Sequence, residues 1–344
     1  MPTIVAHTLN YPPHRRIGSE LATHELLKWF AGKGWTAIAR PATQPVSVPM
    51  CSTYELDGVI VDGSPIHELP RPDVVLHGAA HWTTAQAHAY AAGALQVMWL
   101  HGGTAFASYT ASQIAAAGPD LVLANSLSAA NGLRTYVQGV PIDILHPPIF
   151  PGDHMVGQAC PPYRDGCVTL VNTTEAKGGP LFAELAGRMP DLKFVGVQGG
   201  YGEQLEGDGP NYAPNLWSVR HGHDMDDIWR HTAILVVPST DESWSMAAQE
   251  ALHRGIPVVG MAVPGLMECL GYELDGTPGP FAMPTVRLDE GVAGWSAVLR
   301  TVLLDWDRWS QRALDLASWH HNSSDELAAL EEYLLKTMQD REGK

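Results

Sequence analysis

The chain is poor in cysteine, with four among 344 residues, at positions 51, 160, 167 and 269. None belongs to a C-x-x-C pair, and four in this length do not make a disulfide scaffold. Buried free thiols in a reducing compartment are expected. No apolar run approaches the roughly 18 residues that a membrane span needs. The opening MPTIVAHTLNYPPHRR has no basic region ahead of an apolar stretch. It reads as a first strand rather than a signal peptide, and a cytoplasmic location is expected. Cations are few: 21 Lys and Arg stand against 37 Asp and Glu, a formal charge of −16. That balance disfavours a general affinity for nucleic acid or anionic membrane. There is no H-E-x-x-H zinc signature, and no G-x-G-x-x-G follows the first strand. The 34 glycines and 26 prolines are scattered without a period, which excludes collagen-like and low-complexity chains.

What is present is globular. With 45 % apolar and 17 % charged residues, the chain can bury ordinary cores, and its length suits two domains. Charge is uneven along it. Residues 1–150 carry 7 Lys and Arg, 9 Asp and Glu and nine of the 16 His, whereas residues 151–344 carry 14 cations and 28 anions. The near-neutral front half keeps a nucleic-acid partner open there.

Short apolar strands alternate with amphipathic helices, the pattern of an α/β chain with parallel sheets. Strands are expected at Thr3–Leu9, Trp35–Ala39, Val59–Val61, Asp73–His77, Gln96–His101, Leu121–Ala124 and Asp143–Leu145. Helices are expected at Ser19–Gly32, Thr83–Ala92, Ser108–Ala117 and Ala129–Val137, the last capped by Ser126. A Pro-rich stretch follows, and the rhythm restarts at strand Cys167–Val171. Helix Gly179–Arg188, strands Lys193–Val197 and Leu216–Val219, helix Met225–His231, strand Ala233–Val237, helix Ser245–Arg254 and strand Pro257–Met261 come next. One long helical tail, Val292–Asp340, ends the chain. The expected organisation is two facing Rossmann-like domains, 1–150 and 167–318, joined by a hinge linker at 151–166. A terminal helix, 319–344, packs back toward the first domain. Open α/β sheets of this kind bind ligands at the C-terminal ends of their strands.

The most informative stretch runs from Val236 to Val259, VVPSTDESWSMAAQEALHRGIPVV. A buried strand ends at Pro238, a short loop carries Asp241 and Glu242, and a helix starts near Ser243–Ser245. The free N–H groups of that helix form an anion site at the strand's C-terminal edge. Glu250 lies within the same helix, and a carboxylate there can accept two hydrogen bonds from a vicinal diol. A phosphate at the helix tip with hydroxyl-bearing groups on either side describes a nucleotide-sugar.

Glu242 and Glu250 form an E-x7-E pair. The order of strand, loop, helix, Gly255, Pro257 and strand resembles glycosyltransferase family four, whose members are retaining enzymes of the GT-B fold. The resemblance covers nearly the whole chain. Arg16-Ile17-Gly18-Ser19-Glu20 is similar to the family's G-G-x-E turn, and Lys28–Trp35 to its L-x-x-x-G-H helix end. Trp99-Leu100-His101-Gly102 matches its H-G strand end, and Asp120–Ser126 its D-x-V-x-x-x-S strand. Thr173–Gly179 resembles the R-L-x-x-x-K-G loop, and Val263–Glu268 the G-G-x-x-E turn. Two departures stand out. Asn172 occupies the place of the Arg five residues before Lys177, so one cation instead of two is expected in the phosphate clamp. Glu242-Ser243-Trp244-Ser245 replaces E-G-F-G, which brings side chains where the backbone otherwise approaches the sugar.

The resemblance implies transfer from a nucleotide-diphosphate sugar, UDP-sugar ahead of GDP-sugar, with retention and without a metal or other cofactor. It assigns catalysis to Glu242, Lys177 and His101. Lys177 and the helix tip at Ser245–Met246 would hold the leaving diphosphate, Glu242 the sugar hydroxyls and Glu250 the ribose. Gly18, Asn172, Ser243, Trp244 and His221 join the donor side. His14, Arg15, Arg16 and His81 fall on the acceptor side, where a small molecule or glycan is expected and a DNA base is possible. Integral membrane association is not expected.

Other readings are open. One is a phage-type transferase acting on a modified DNA base. Others are a nucleotide-sugar 2-epimerase on the same fold and a non-catalytic nucleotide-sugar binder. Asp224-Met225-Asp226 contains a D-x-D that a metal-dependent transferase could use, but its place at a helix start is explained by capping.

Overall fold

The computed structural model describes the chain except residues 14–16, 43–52, 103–106, 151–158, 160, 162–164, 201, 206–212, 221–223, 321–322 and 344, and the side chains of 81, 107 and 108. It divides into two compact units, Met1–Phe150 with His321–Lys344, and Pro151–His320.

The first unit contains β1 (Thr3–Thr8), α1 (Gly18–Gly32), β2 (Thr36–Pro41), β3 (Thr53–Leu56), β4 (Val59–Asp62), β5 (Val74–His77), α2 (Trp82–Ala92), β6 (Leu95–Leu100), α3 (Ala107–Ala117), β7 (Leu121–Ala124), α4 (Leu127–Arg134) and β8 (Ile142–Ile144). Its sheet has the order β3-β4-β2-β1-β5-β6-β7-β8. Strands β4 to β8 run parallel through β1 and β2, and β3 alone is antiparallel, paired to β4. Every residue of β1 and β6 is buried, as expected of central parallel strands covered on both faces. Leu26, Leu27 and Phe30 of α1 reach 0 % exposure, the outcome of their near-helical spacing.

The second unit contains β9 (Cys167–Val171), α5 (Gly179–Arg188), β10 (Phe194–Val197), β11 (Leu216–Val219), α6 (Met225–Arg230), β12 (Thr232–Val237), α7 (Met246–His253), β13 (Val258–Met261), α8 (Pro264–Cys269), β14 (Thr285–Val286), α9 (Gly291–Leu304) and α10 (Trp306–Trp319). Its sheet is parallel with the order β11-β10-β9-β12-β13-β14. Both sheets reverse their direction of growth beside the first strand of the unit, the switch point at which such sheets take ligands.

The terminal α11 (Ser323–Glu342) belongs to the first unit. Trp35 Nε1 donates to Glu331 at 2.7 Å. Glu326 accepts from the His146 backbone at 3.0 Å and meets its ring at 2.7 Å. Arg341 pairs with Asp120.

Two features differ from the expectation. The tail is not one helix but three, broken at Asp305 and after Trp319. The strand β3 was not foreseen, and the turn that makes it is Asp57-Gly58, both at positive φ, 51° and 81°. Among the described residues no helix is long and apolar enough to cross a membrane.

Candidate functional site

In the second unit β12 is buried along its whole length and hands the chain to Pro238. The loop that follows carries Glu242, and Ser245 caps α7: its Oγ accepts from the Ala248 N–H at 3.3 Å. The N–H groups of Met246 and Ala247 have no intrahelical acceptor, so the positive end of the helix opens onto the loop. Gly265 supports the loop from below. A Cβ there would lie 2.4 Å from the Glu242 carbonyl oxygen and 2.5 Å from that of Ser243.

Lys177 closes a single 3-10 turn, and Gly178 follows in the left-handed region with φ 83°. A Cβ on Gly178 would sit 2.5 Å from Pro238 Cγ, so glycine is required for the loop after β9 to lie against the loop after β12. That approach places Lys177 Nζ 2.6 Å from Glu242 Oε1, with the two side chains only 24 % and 12 % exposed. A cation and a carboxylate thus share one partly buried place at the tip of α7.

Glu250 lies one turn into α7. Its Oε2 accepts the indole N–H of Trp229 at 3.0 Å. Trp229, on α6, is fully buried. The Arg254 guanidinium lies 5.7 Å from the centre of its ring and pairs with Asp226 at 2.5 Å. The Glu250 carboxylate is therefore oriented by a fixed aromatic ring.

Asn172 follows β9 with φ 68°, a conformation that Asn tolerates better than most side chains. Its Oδ1 accepts from Gln204 Nε2 at 3.2 Å and from the Thr174 N–H at 3.4 Å. The departure at this position holds a turn together.

In the first unit the C-terminal ends of β1, β5 and β6 open onto a cavity of about 340 Å³ walled by Thr8, Glu20, His77, Trp99 and His101 among others. The His101 ring lies against Trp99 at a 48° tilt, with centroids 4.4 Å apart, and burial pushes its pKa down to about 4. His77 meets the Gly78 carbonyl through Nδ1 at 2.8 Å and the Gln96 amide through Nε2 at 2.9 Å.

A family model described as "Family 4 Glycosyltransferase in conflict systems" matches residues 220–323, the segment that holds Glu242, Glu250 and Gly265. No curated protein matches the chain. Solved structures are similar over its whole length. Sucrose-phosphate synthase from Thermosynechococcus elongatus is 13 % identical with a TM-score of 0.72, covering 99 % of this chain and 100 % of that one. HepE from Anabaena, in complex with UDP and glucose, is 13 % identical with a TM-score of 0.70, covering 97 % and 99 %. An α,α-trehalose 6-phosphate synthase from Burkholderia multivorans is 7 % identical with a TM-score of 0.67, covering 99 % and 98 %.

The chain has the GT-B fold, and its residues 220–323 resemble family-four glycosyltransferases.

The structure brings Lys177, Glu242, Ser245, Met246 and Glu250 together around the start of α7. Ser243 and Trp244 lie beneath them, both buried, with Trp244 packed edge-on against His320 at 5.5 Å. The Cys269 thiol donates to the Ser245 carbonyl at 3.7 Å, and burial pushes it up to about 12. Gly18 and His101 belong to the other unit. Gly18 opens α1 at an exposed position, and His101 is on the cavity wall. His81 ends the 3-10 turn Ala79–His81. His14, Arg15, Arg16 and His221 lie outside the described residues. The Asp224 carboxylate accepts from the Asp226 N–H at 3.0 Å as the cap of α6, and Ser126 caps α4 through the Ala129 N–H at 3.0 Å.

Sequence reasoning did not single out Trp229, Gln204, Thr8 or the buried Glu20 for a role. Glu20 left a signal, a Glu in the first turn of a helix beside an expected glycine turn. Trp229 left none, because its contact with Glu250 joins two elements 21 residues apart.

Proposed function

We propose that this GT4-like enzyme transfers a sugar with retention from a nucleotide-diphosphate sugar, UDP-sugar ahead of GDP-sugar, to a hydroxyl acceptor without a metal ion. The observation that carries the reading is the Lys177–Glu242 pair, 2.6 Å apart at the open end of α7, with Glu250 on the same helix. A diphosphate draws the Lys177 ammonium and accepts the Met246 and Ala247 N–H groups. The Glu242 carboxylate is then available to the sugar hydroxyls, and Glu250 accepts from the ribose diol. HepE, similar in fold, is a protein whose structures hold UDP, glucose and UDP-glucose, which supports a uridine donor here.

In the reaction the bond between the anomeric carbon and the phosphate oxygen breaks, and the acceptor oxygen bonds to that carbon on the same face. The acceptor's proton passes to the leaving diphosphate. Negative charge grows on that diphosphate, so the Lys177 cation and the helix end lower the barrier most where they are closest to it. The acceptor binds in the first unit.

Proton NMR of the product from an α-linked donor, run with and without a chelator, tests this reading. An α-linked product formed equally with chelator is expected. A β-linked product, loss of turnover on chelation, or release of a sugar inverted at C2 would each overturn it.

A further inference from the structure

The loop after β9 carries Lys177, and a side chain from the loop after β10 holds its backbone. Gln204 Oε1 accepts from the Thr173 N–H at 3.0 Å, the Thr173 hydroxyl at 3.1 Å and the Gly199 N–H at 2.9 Å. Gln204 Nε2 donates to Asn172 Oδ1 at 3.2 Å, and that oxygen also accepts from the Thr174 N–H at 3.4 Å. The Thr173 hydroxyl accepts in turn from the Leu205 N–H at 3.2 Å. Backbone N–H groups only donate. They therefore fix which end of each amide faces them, and one arrangement of Gln204 and Asn172 satisfies all of these bonds.

The approach of the two loops is close. A Cβ on Gly199 would lie 2.5 Å from Asn172 Cγ, so a side chain there would push them apart. Thr173 and Thr174 are 2 % and 7 % exposed. The Thr174 carbonyl accepts from the Lys177 N–H at 3.1 Å and the Gly179 N–H at 3.0 Å. Gln204 thus fixes residues 172–174, and these fix the turn that presents Lys177 to Glu242.

We propose that Gln204 is a positioning residue for the donor diphosphate: it holds the loop that presents Lys177, and so sets the affinity for the phosphates and not for the nucleoside. The proposal rests on the transferase reading above. A cation on a loose loop must be ordered when the phosphates bind, and that lost entropy is subtracted from the affinity. A loop already held in the free protein avoids the loss. The network is made of neutral amides and a hydroxyl, so its effect reaches the phosphates through Lys177.

The Kd values of UDP and uridine are measured by competition calorimetry, well below the melting temperature, for the wild type, Gln204→Met, Lys177→Met and the double variant. GDP and guanosine are titrated in the same way, and the pair that binds more tightly is used. The ratio of the two constants isolates the phosphates. The wild type is expected to prefer the diphosphate by at least about a hundredfold, the value of two hydrogen bonds to a charged group. Gln204→Met keeps the length of the side chain and removes its amide; it is expected to lower that preference about tenfold with nucleoside affinity unchanged. Lys177→Met is expected to lower it at least about tenfold, and Gln204→Met to change it less than about twofold further once Lys177 is gone. Thr173→Val removes only the hydroxyl that meets Gln204, a milder change for folding, and is expected to lower the preference about threefold. An unchanged preference in Gln204→Met or Thr173→Val, an equal loss of diphosphate and nucleoside binding, or the same Gln204→Met effect with and without Lys177 would overturn the proposal. A wild type that binds neither diphosphate better than its nucleoside, or a Lys177→Met variant with the full preference, would count against the donor site itself, and the proposal would fall with it.

Discussion

Replacing Trp229 with Phe removes the N–H that Glu250 Oε2 accepts at 3.0 Å while keeping a ring in a fully buried position. A hydrogen bond to a charged group contributes about 1.5–3 kcal/mol. If about half of the upper figure is orientation of Glu250 toward the ribose, the Kd for UDP rises about tenfold. The smaller ring also leaves a gap and weakens the contact with Arg254, 5.7 Å from the ring centre, so the variant loses about 2 kcal/mol of stability. The two effects are separated by titrating UDP and 2′-deoxy-UDP calorimetrically, well below the melting temperature of the variant. The wild type is expected to prefer the ribose form by about tenfold, the value of one hydrogen bond, and Trp229→Phe to lose most of that preference. A variant that binds UDP as the wild type does, or that keeps the full ribose preference, would refute the reasoning that Trp229 positions Glu250. No ribose preference in the wild type would instead remove Glu250 from the donor site.

Other outcomes follow from the same geometry. Ser245→Ala removes the cap of α7 and is expected to cost about 1 kcal/mol in urea unfolding, whereas Ser245→Gly costs only a few tenths. Gly265→Ala puts a methyl group 2.4 Å from the Glu242 carbonyl oxygen; it is expected to lower the melting temperature and abolish donor binding together. Gly187→Ala, in α5 with nothing within 4 Å of the new atom, is expected to stabilise the protein by about 0.5–1 kcal/mol. His101 has a folded pKa of about 4, below its ordinary 6.5. As pH falls the unfolded chain takes the proton first, so the stability tied to the neutral ring is complete above about pH 6.5 and is lost between there and pH 4. His101→Gln is expected to flatten that part of a stability–pH curve, and a curve of unchanged slope would contradict the assignment.

Much of the second unit was legible because one element order carries it. A buried strand, a polar loop, a Ser cap and a helix closed by Gly255 can be read from residues 236–259 without neighbours. The parallel sheets were legible for the same reason, as continuous apolar runs such as Ile234–Val237. The β3–β4 hairpin had a sequence signal in Asp57-Gly58, the residue pair that a tight hairpin turn needs. It was missed because Thr53–Leu56 alternates half-buried with exposed residues and lacks an apolar run. The breaks in the helical tail were hidden because apolar periodicity continues on either side of Asp305, from Leu299 and Val302 to Trp306 and Ala313. The pairing of Lys177 with Glu242 spans 65 residues and depends on Gly178 meeting Pro238, a contact that no local pattern encodes.

The central claim is that the start of α7, Lys177 and Glu250 form a nucleotide-sugar site. A thermal-shift panel of UDP-, GDP-, ADP- and dTDP-sugars on the wild type and Glu250→Ala tests it most directly, because a ligand bound only by the folded protein raises its melting temperature with RT ln(1 + [L]/Kd). The account predicts a shift with one nucleotide class, UDP-sugars first, that is lost in Glu250→Ala. No shift with any donor, or an equal shift in the variant, would contradict it.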